Sequence, residues 1–318
     1  MYYIGGLGLS TISAVVFGSV NYDLIATAQK FPLDGESLIG QSFYTSAGGK
    51  GGNQAVALSR LGIDTFMVCR IGDDYYGEEL LNSLQTFGVD VSLVGIEKNM
   101  NSGIAHITVN DKGQNKIIII RGANATCSDI EIDKITSKLN SGADALLLQM
   151  ELPLEISLKA AKYAQSINKL VVMDPAPAGI MPVGVYQYFD YLIPNETEAE
   201  TLVGHPVETN DQIKNAAKTL LDRGVKKGVI IKLGEKGAYY INDRISGFIE
   251  AKKVKAIDTV AAGDAFNAGF TSYLLKGNSF VDSVTMGVTI GSLAVTKPGA
   301  QESMPTLEEV DYFLNTKK

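Results

Sequence analysis

Between residues 145 and 232 short apolar runs alternate with amphipathic stretches, and this alternation restricts the chain to very few folds. It predicts strand 145–149, helix 154–166, strand 170–173, strand 190–193, helix 196–203, helix 210–223 and strand 228–232. Neighbouring parallel strands need a crossover long enough to hold a helix, so the pattern reads as a parallel sheet wound on both faces. Upstream, strands at 14–17 and 65–69 and a helix at 75–87 continue it. Two runs break the order: 104–110 and 116–120, joined by Asp111-Lys112-Gly113-Gln114, read as a hairpin. With residues 36–46 they predict a small separate sheet, suited to close over a site and exclude water.

The rest of the composition narrows the function. With 45% hydrophobic and 20% charged residues among 318, the chain has ample core and no mark of disorder. A net charge of -7 argues against a general binder of nucleic acid or anionic membrane, so any nucleotide needs local positive groups. Cys69 and Cys127 lie far apart and read as reduced thiols of a cytoplasmic protein; with only His106 and His205 beside them, a zinc site is not expected. Residues 1–10 are Gly-rich without a basic start, which suits neither a signal peptide nor a membrane span; residues 1–12 read as a tail.

Polar groups follow several predicted strands: Asn21 and Asp23, Glu151, Asp174, Asn195 with Glu198, and Lys232. Residues after successive parallel strands gather at one sheet edge, where ligands bind. Asn21 and Asp23 could grip vicinal sugar hydroxyls or form an Asx turn, and Asn195 could equally cap the following helix. Glycines surround Lys50 in Gly48-Gly49-Lys50-Gly51-Gly52-Asn53-Gln54, just before a helical pattern. Each costs roughly 1 kcal/mol against Ala inside a helix, so they imply a close backbone approach or a hinge. The stretch lacks the Ser or Thr of a P-loop, and it does not fit a dinucleotide fingerprint. The segment Lys232-Leu233-Gly234-Glu235-Lys236-Gly237 reads as a nucleotide contact or a plain hairpin.

The stretch Ala261-Ala262-Gly263-Asp264 is a turn of small residues feeding a helix. Its amides suit an anion, and Asp264 could accept a proton from an attacking alcohol or only stabilise the helix dipole.

Together these stretches resemble the PfkB-type carbohydrate kinases, the ribokinase-like family, from about residue 14 onward. The likeness rests on Gly48–Gln54, on Asp258-Thr259-Val260-Ala261-Ala262-Gly263-Asp264, on Asn195-Glu196-Thr197-Glu198 and on Asp174-Pro175-Ala176-Pro177-Ala178, which has Asp where the family run begins with Asn. The resemblance implies a three-layer α/β fold with a mainly parallel doubly wound sheet and a small β-sheet lid. It implies one kinase domain, 13–318, with lid segments at about 34–48 and 101–121. Asp264 would be the catalytic base, and the amides of Ala261, Ala262 and Gly263 the anion hole. Asn21, Asp23, Gly49, Lys50, Asn53 and Glu151 would hold the sugar. Asn195, Lys232, Leu233, Gly234, Glu235, Lys236, Gly237 and Gly263 would face ATP, and Glu198 would organise Mg2+ through water. Asp258, Val260, Ala294, Lys297, Gly299 and Ser303 would hold K+, mostly by carbonyls. The implied activity is ATP-dependent phosphorylation of D-ribose at O5 by a homodimer paired through the lid. Alternatives are a kinase for 2-deoxyribose, fructose or a ribonucleoside, or a non-catalytic sugar- or nucleotide-binding protein. Gly52, Val288 and the bulky Tyr22 depart from the family's pattern.

Overall fold

The computed structural model describes residues 12–316. The expected tail, 1–12, lies outside them except for Ile12. In chain order the first elements are β1 (Ser13–Phe17), β2 (Asn21–Ala28), β3 (Ser42–Gly48), α1 (Lys50–Arg60), β4 (Asp64–Val68), β5 (Arg70–Gly72), α2 (Tyr75–Thr86) and β6 (Gly95–Glu97). There follow β7 (Gly103–Asn110), β8 (Asn115–Ile120), α3 (Asp129–Asn140), β9 (Ala145–Leu148), α4 (Leu154–Ser166), β10 (Leu170–Met173) and β11 (Tyr191–Leu192). The chain continues through α5 (Glu196–Val203), α6 (Asn210–Asp222), β12 (Gly228–Lys232), β13 (Ala238–Ile241) and β14 (Ser246–Ile249). It ends in α7 (Ala262–Leu275), α8 (Phe280–Ala294) and α9 (Leu307–Thr316).

The large sheet has eight strands in the order β14-β13-β12-β11-β10-β9-β1-β4. From β4 to β12 every pairing is parallel, and β13 and β14 add an antiparallel edge. β1 is buried along its whole length, as a strand covered on both faces must be. Its alternate residues feed two cores. Val16 belongs to the core that includes Leu58 of α1, Phe270 of α7 and Ile290 of α8, and Val15 to the core that includes Leu139 of α3, Ala161 of α4 and Ile213 of α6. Helices therefore cover both faces, giving the expected three layers. Among the described residues no helix is long and apolar enough to cross a membrane.

A second sheet of four strands, β3-β2-β7-β8, stands apart from the first. Asn21 and Asp23 lie beyond the end of β1, as expected, and they open β2, which runs between β3 and β7 and joins the small sheet to the large one. Tyr22, between them, points to the opposite strand face as alternation requires. It stacks on Tyr76 of α2 with ring centroids 4.8 Å apart.

Candidate active site

The parallel strands end at one edge, and the predicted polar residues gather there. The Gly-rich segment does not form a loop: α1 begins at Lys50, and its first turn is pressed against the residues that follow β1. Gly49 has φ +83, and a Cβ there would stand 2.7 Å from the Asn21 nitrogen. Gly52 N donates to the Ser19 carbonyl at 2.9 Å. The close approach that these glycines permit is to the chain's own backbone, and it sets Lys50, Asn53 and Gln54 facing the sheet edge.

Asn21 and Asp23 share one face of β2. Both flanking strands present glycine there. A Cβ on Gly48 would meet Asp23 Oδ2 at 2.5 Å, and one on Gly103 would meet Asn21 Oδ1 at 2.3 Å. Asn124, which sequence reading missed, donates its Nδ2 to Asn21 Oδ1 and to the Val20 carbonyl, each at 2.9 Å, and accepts from Val20 N at 3.1 Å. Burial pushes the Asp23 carboxyl up to about 7, helped by the carboxylates of Glu151 and Glu302. Glu151 accepts from the Ser19 hydroxyl and, at 3.0 Å, from the Lys50 backbone N–H. Burial alone would lower the Lys50 ammonium. Asp264, Asp174, Glu151 and Glu198 outweigh it and hold the charge on.

Asp264 occupies the first turn of α7, 3% exposed. Its Oδ2 accepts from Asn53 Nδ2 at 3.0 Å and its Oδ1 from Gln54 Nε2 at 3.1 Å. Burial raises its carboxyl to about 6, against the pull of Lys50 and with a push from Asp174. Ahead of it, Ala261 sits in the left-handed region at φ 57, and no side chain caps the helix. The first amides of a helix lack partners within it, so those after Ala261 are available to an anion. Asn53 Oδ1 is buried without a partner, which suits a ligand hydroxyl.

On the other side of Asp264 a cavity of about 570 Å³ opens, lined by Lys232, Gly234, Gly237, Gly263, Phe266 and Val288 among others. Its apolar walls and basic mouth suit a nucleotide base and its phosphates. Not every predicted nucleotide contact lines it. Leu233 is buried in the core, and Lys236 pairs with Glu196 at 3.7 Å. Asn195 caps α5: its Oδ1 accepts from Glu198 N at 2.8 Å while Glu198 Oε2 accepts from Asn195 N at 2.7 Å. Burial raises the Glu198 carboxyl, opposed by Lys232 and assisted by Asp174.

The six residues expected at a potassium site converge in part. Asp258 bridges two segments, its Oδ1 accepting from Val260 N and its Oδ2 from Gly299 N, each at 3.0 Å. Lys297 N reaches the Ala294 carbonyl at 3.3 Å, and its ammonium is turned away to Glu309. Ser303 closes the same loop by donating to the Ala300 carbonyl at 2.8 Å. A half-buried carboxylate drawing two carbonyl-rich turns together fits a large monovalent cation. Among the described residues no cluster of three His, Cys, Asp or Glu forms a metal cage.

Free helix-start amides beside a buried carboxylate, at a sheet edge with a small lid sheet next to it, suit a phosphotransferase that acts on a hydroxyl group. Residues 11–307 match the model of the pfkB family carbohydrate kinases, and the chain belongs to that family. It is 37% identical to the ribokinase of Haemophilus influenzae, covering 94% of this chain and 97% of that one. It is 34% identical to the deoxyribokinase of Salmonella typhi, covering 94% and 98%. The solved structure of Arabidopsis thaliana ribokinase complexed with ribose and ATP superposes with a TM-score of 0.87 at 32% identity, covering 96% of this chain and 99% of that one.

Proposed function

We propose that this chain is an ATP-dependent ribokinase that phosphorylates D-ribose at O5. The observation that carries this is the placing of Asp264, held by Asn53 on the sugar side while its neighbour Gly263 lines the nucleotide cavity. Asn21, Asp23, Lys50, Asn53 and Glu151 bind the sugar, with Asn21 and Asp23 taking vicinal hydroxyls. Lys232, Gly234 and Gly237 bind ATP. Asp264 accepts the O5 proton as that oxygen forms its bond to the γ-phosphorus, the bond to the β-phosphate oxygen breaks, and ADP leaves. The amides after Ala261 take up the charge on the transferred group. The transition state is loose, so positioning and charge neutralisation outweigh proton removal.

Glu198 would organise Mg2+ through water, the ion neutralising phosphate charge. The Asp258 and 294–303 segments would hold K+, steadying the loop that carries the anion hole. The protein works in the cytoplasm as a homodimer paired through its lid, whose edge strand β8 exposes Ile117, Ile118, Ile119 and Ile120.

The test is ADP release with magnesium ATP and potassium, measured against ribose, 2-deoxyribose, fructose, adenosine and uridine. Turnover chiefly on ribose is expected. Turnover chiefly on 2-deoxyribose, as the Salmonella likeness allows, overturns the assignment of ribose and keeps the kinase; silence across the panel overturns both.

A further inference from the structure

Gln54, in the second turn of α1, serves two carboxylates with one nitrogen. Its Nε2 donates to Asp264 Oδ1 at 3.1 Å and to Asp174 Oδ2 at 2.9 Å. Gln149 Nε2 donates to Gln54 Oε1 at 2.8 Å, which fixes the way the Gln54 amide faces. The other oxygen of Asp174 accepts from Lys232 Nζ at 2.9 Å. Lys232 in turn stands against the anion turn, since a Cβ on Gly263 would lie 3.5 Å from its Nζ. Asp174 itself is absent from the cavity lining and 2% exposed. A buried carboxylate away from both ligand sites, yet wired to the two groups that act, needs an explanation.

We propose that Asp174 is a positioning residue for phosphoryl transfer: through Gln54 it orients the Asp264 carboxylate, and through Lys232 it fixes an ammonium beside Gly263. The proposal rests on Asp264 being the base. An amide at 174 could not hold both partners, because it has one oxygen, and its NH2 would face either Lys232 or the Gln54 NH2. The charge matters as well as the shape. The charged groups facing Asp264 are Lys50 from α1 and Asp174 from the end of β10; Lys232 of β12, Glu198 of α5 and Glu151 stand behind them. Asp174 makes the Asp264 proton harder to remove, so its neutralisation moves proton release to lower pH.

The experiment is the pH profile of kcat at saturating ribose and magnesium ATP, which reports groups of the complex, where the sugar already covers Asp23. In Asp174→Asn the acid limb is expected to move down by roughly one pH unit, and KM for magnesium ATP to rise roughly tenfold as Lys232 loses its anchor. The double variant Asp174→Asn/Lys232→Met leaves no unpaired buried charge, and it carries the same pH test should the single variant fail to fold. An unmoved acid limb in either folded variant overturns the proposal, whatever happens to KM. Asp264→Asn separates the two readings. Near-normal turnover there overturns the base and this proposal with it, whereas loss of turnover combined with an unmoved limb overturns only the positioning role.

Discussion

Gly51 and Gly18 meet backbone to backbone: a Cβ on Gly51 would stand 2.6 Å from the Gly18 carbonyl carbon, and one on Gly18 would stand 2.7 Å from Gly51 Cα. Neither contact is with a side chain that could swing aside. Gly51→Ala would gain the helix preference of Ala but must move α1 off the end of β1, so a net loss of roughly 2 kcal/mol is expected. Since Lys50 and Asn53 ride on that turn, KM for ribose should rise as well. Gly52 offers the contrast. A Cβ there would meet Gln301 Nε2 at 2.9 Å, the unpartnered end of a side chain whose Oε1 accepts from the Ser83 hydroxyl at 2.7 Å. Gly52→Ala should therefore stay within about 1 kcal/mol of the parent. Thermal melts of the two variants decide the matter, and equal stability would overturn the account of why this helix starts with glycines.

Asn124→Ala tests the sugar side without touching a residue that the sugar would meet. Its amide holds the Val20 backbone N–H and carbonyl and the side-chain oxygen Oδ1 of Asn21. Removing it leaves three buried polar groups short of a partner, which costs about 1–3 kcal/mol. The Asn21 amide would then be free to turn. KM for ribose is expected to rise roughly tenfold, with kcat and KM for ATP little changed. A fall in kcat with unchanged KM would sink this view of Asn124.

Much of the fold was legible because the large sheet is parallel and covered on both faces, so its strands read as continuous apolar runs. The limits of α4, α5, β10 and β12 follow that pattern closely. β2 was not legible. Its first residues, Asn21 and Asp23, are polar and lie inward, flanked by glycines of β3 and β7 that only long-range register brings alongside. Asp264 stood out because a helix start of small residues is a local feature. Gln54, Asn124 and Asp174 act through partners 58 to 210 residues away in sequence, and nothing beside them in the chain announces which. The Asp in Asp174-Pro175-Ala176-Pro177 was the one visible sign.

Asp23 and Asp264 both bind protons more tightly in the folded chain, at about 7 and about 6, than their ordinary value of 3.8. Folding therefore takes up protons between these values, and the stability of the ligand-free enzyme falls as pH rises from about 4 to about 7. Asp23→Asn removes the larger share of this penalty. It should be more stable than the parent at pH 8 by roughly 2 kcal/mol, and the difference should shrink toward pH 4. Denaturant melts across that range check the sign; a parent whose advantage over Asp23→Asn grows with pH would show that the carboxylate is stabilised in its charged form instead.

The loop ahead of α7 is pinned at two points. Asp258 ties residue 260 to residue 299, and Ala261 follows in a left-handed conformation that a side chain adopts only under constraint. A cation held by the surrounding carbonyls would add to that constraint, and its charge would act on the same side as the incoming phosphoryl group. Potassium should raise kcat over sodium roughly tenfold, which corresponds to about 1.4 kcal/mol of transition-state stabilisation. The ammonium of Lys297 is paired with Glu309 and not directed at the loop, so Lys297→Met should keep the effect. Asp258→Ala should abolish it, leaving equal low rates in both salts while ATP still binds. Equal high rates in the parent enzyme would mean that Asp258 alone holds the turn and that the loop needs no cation.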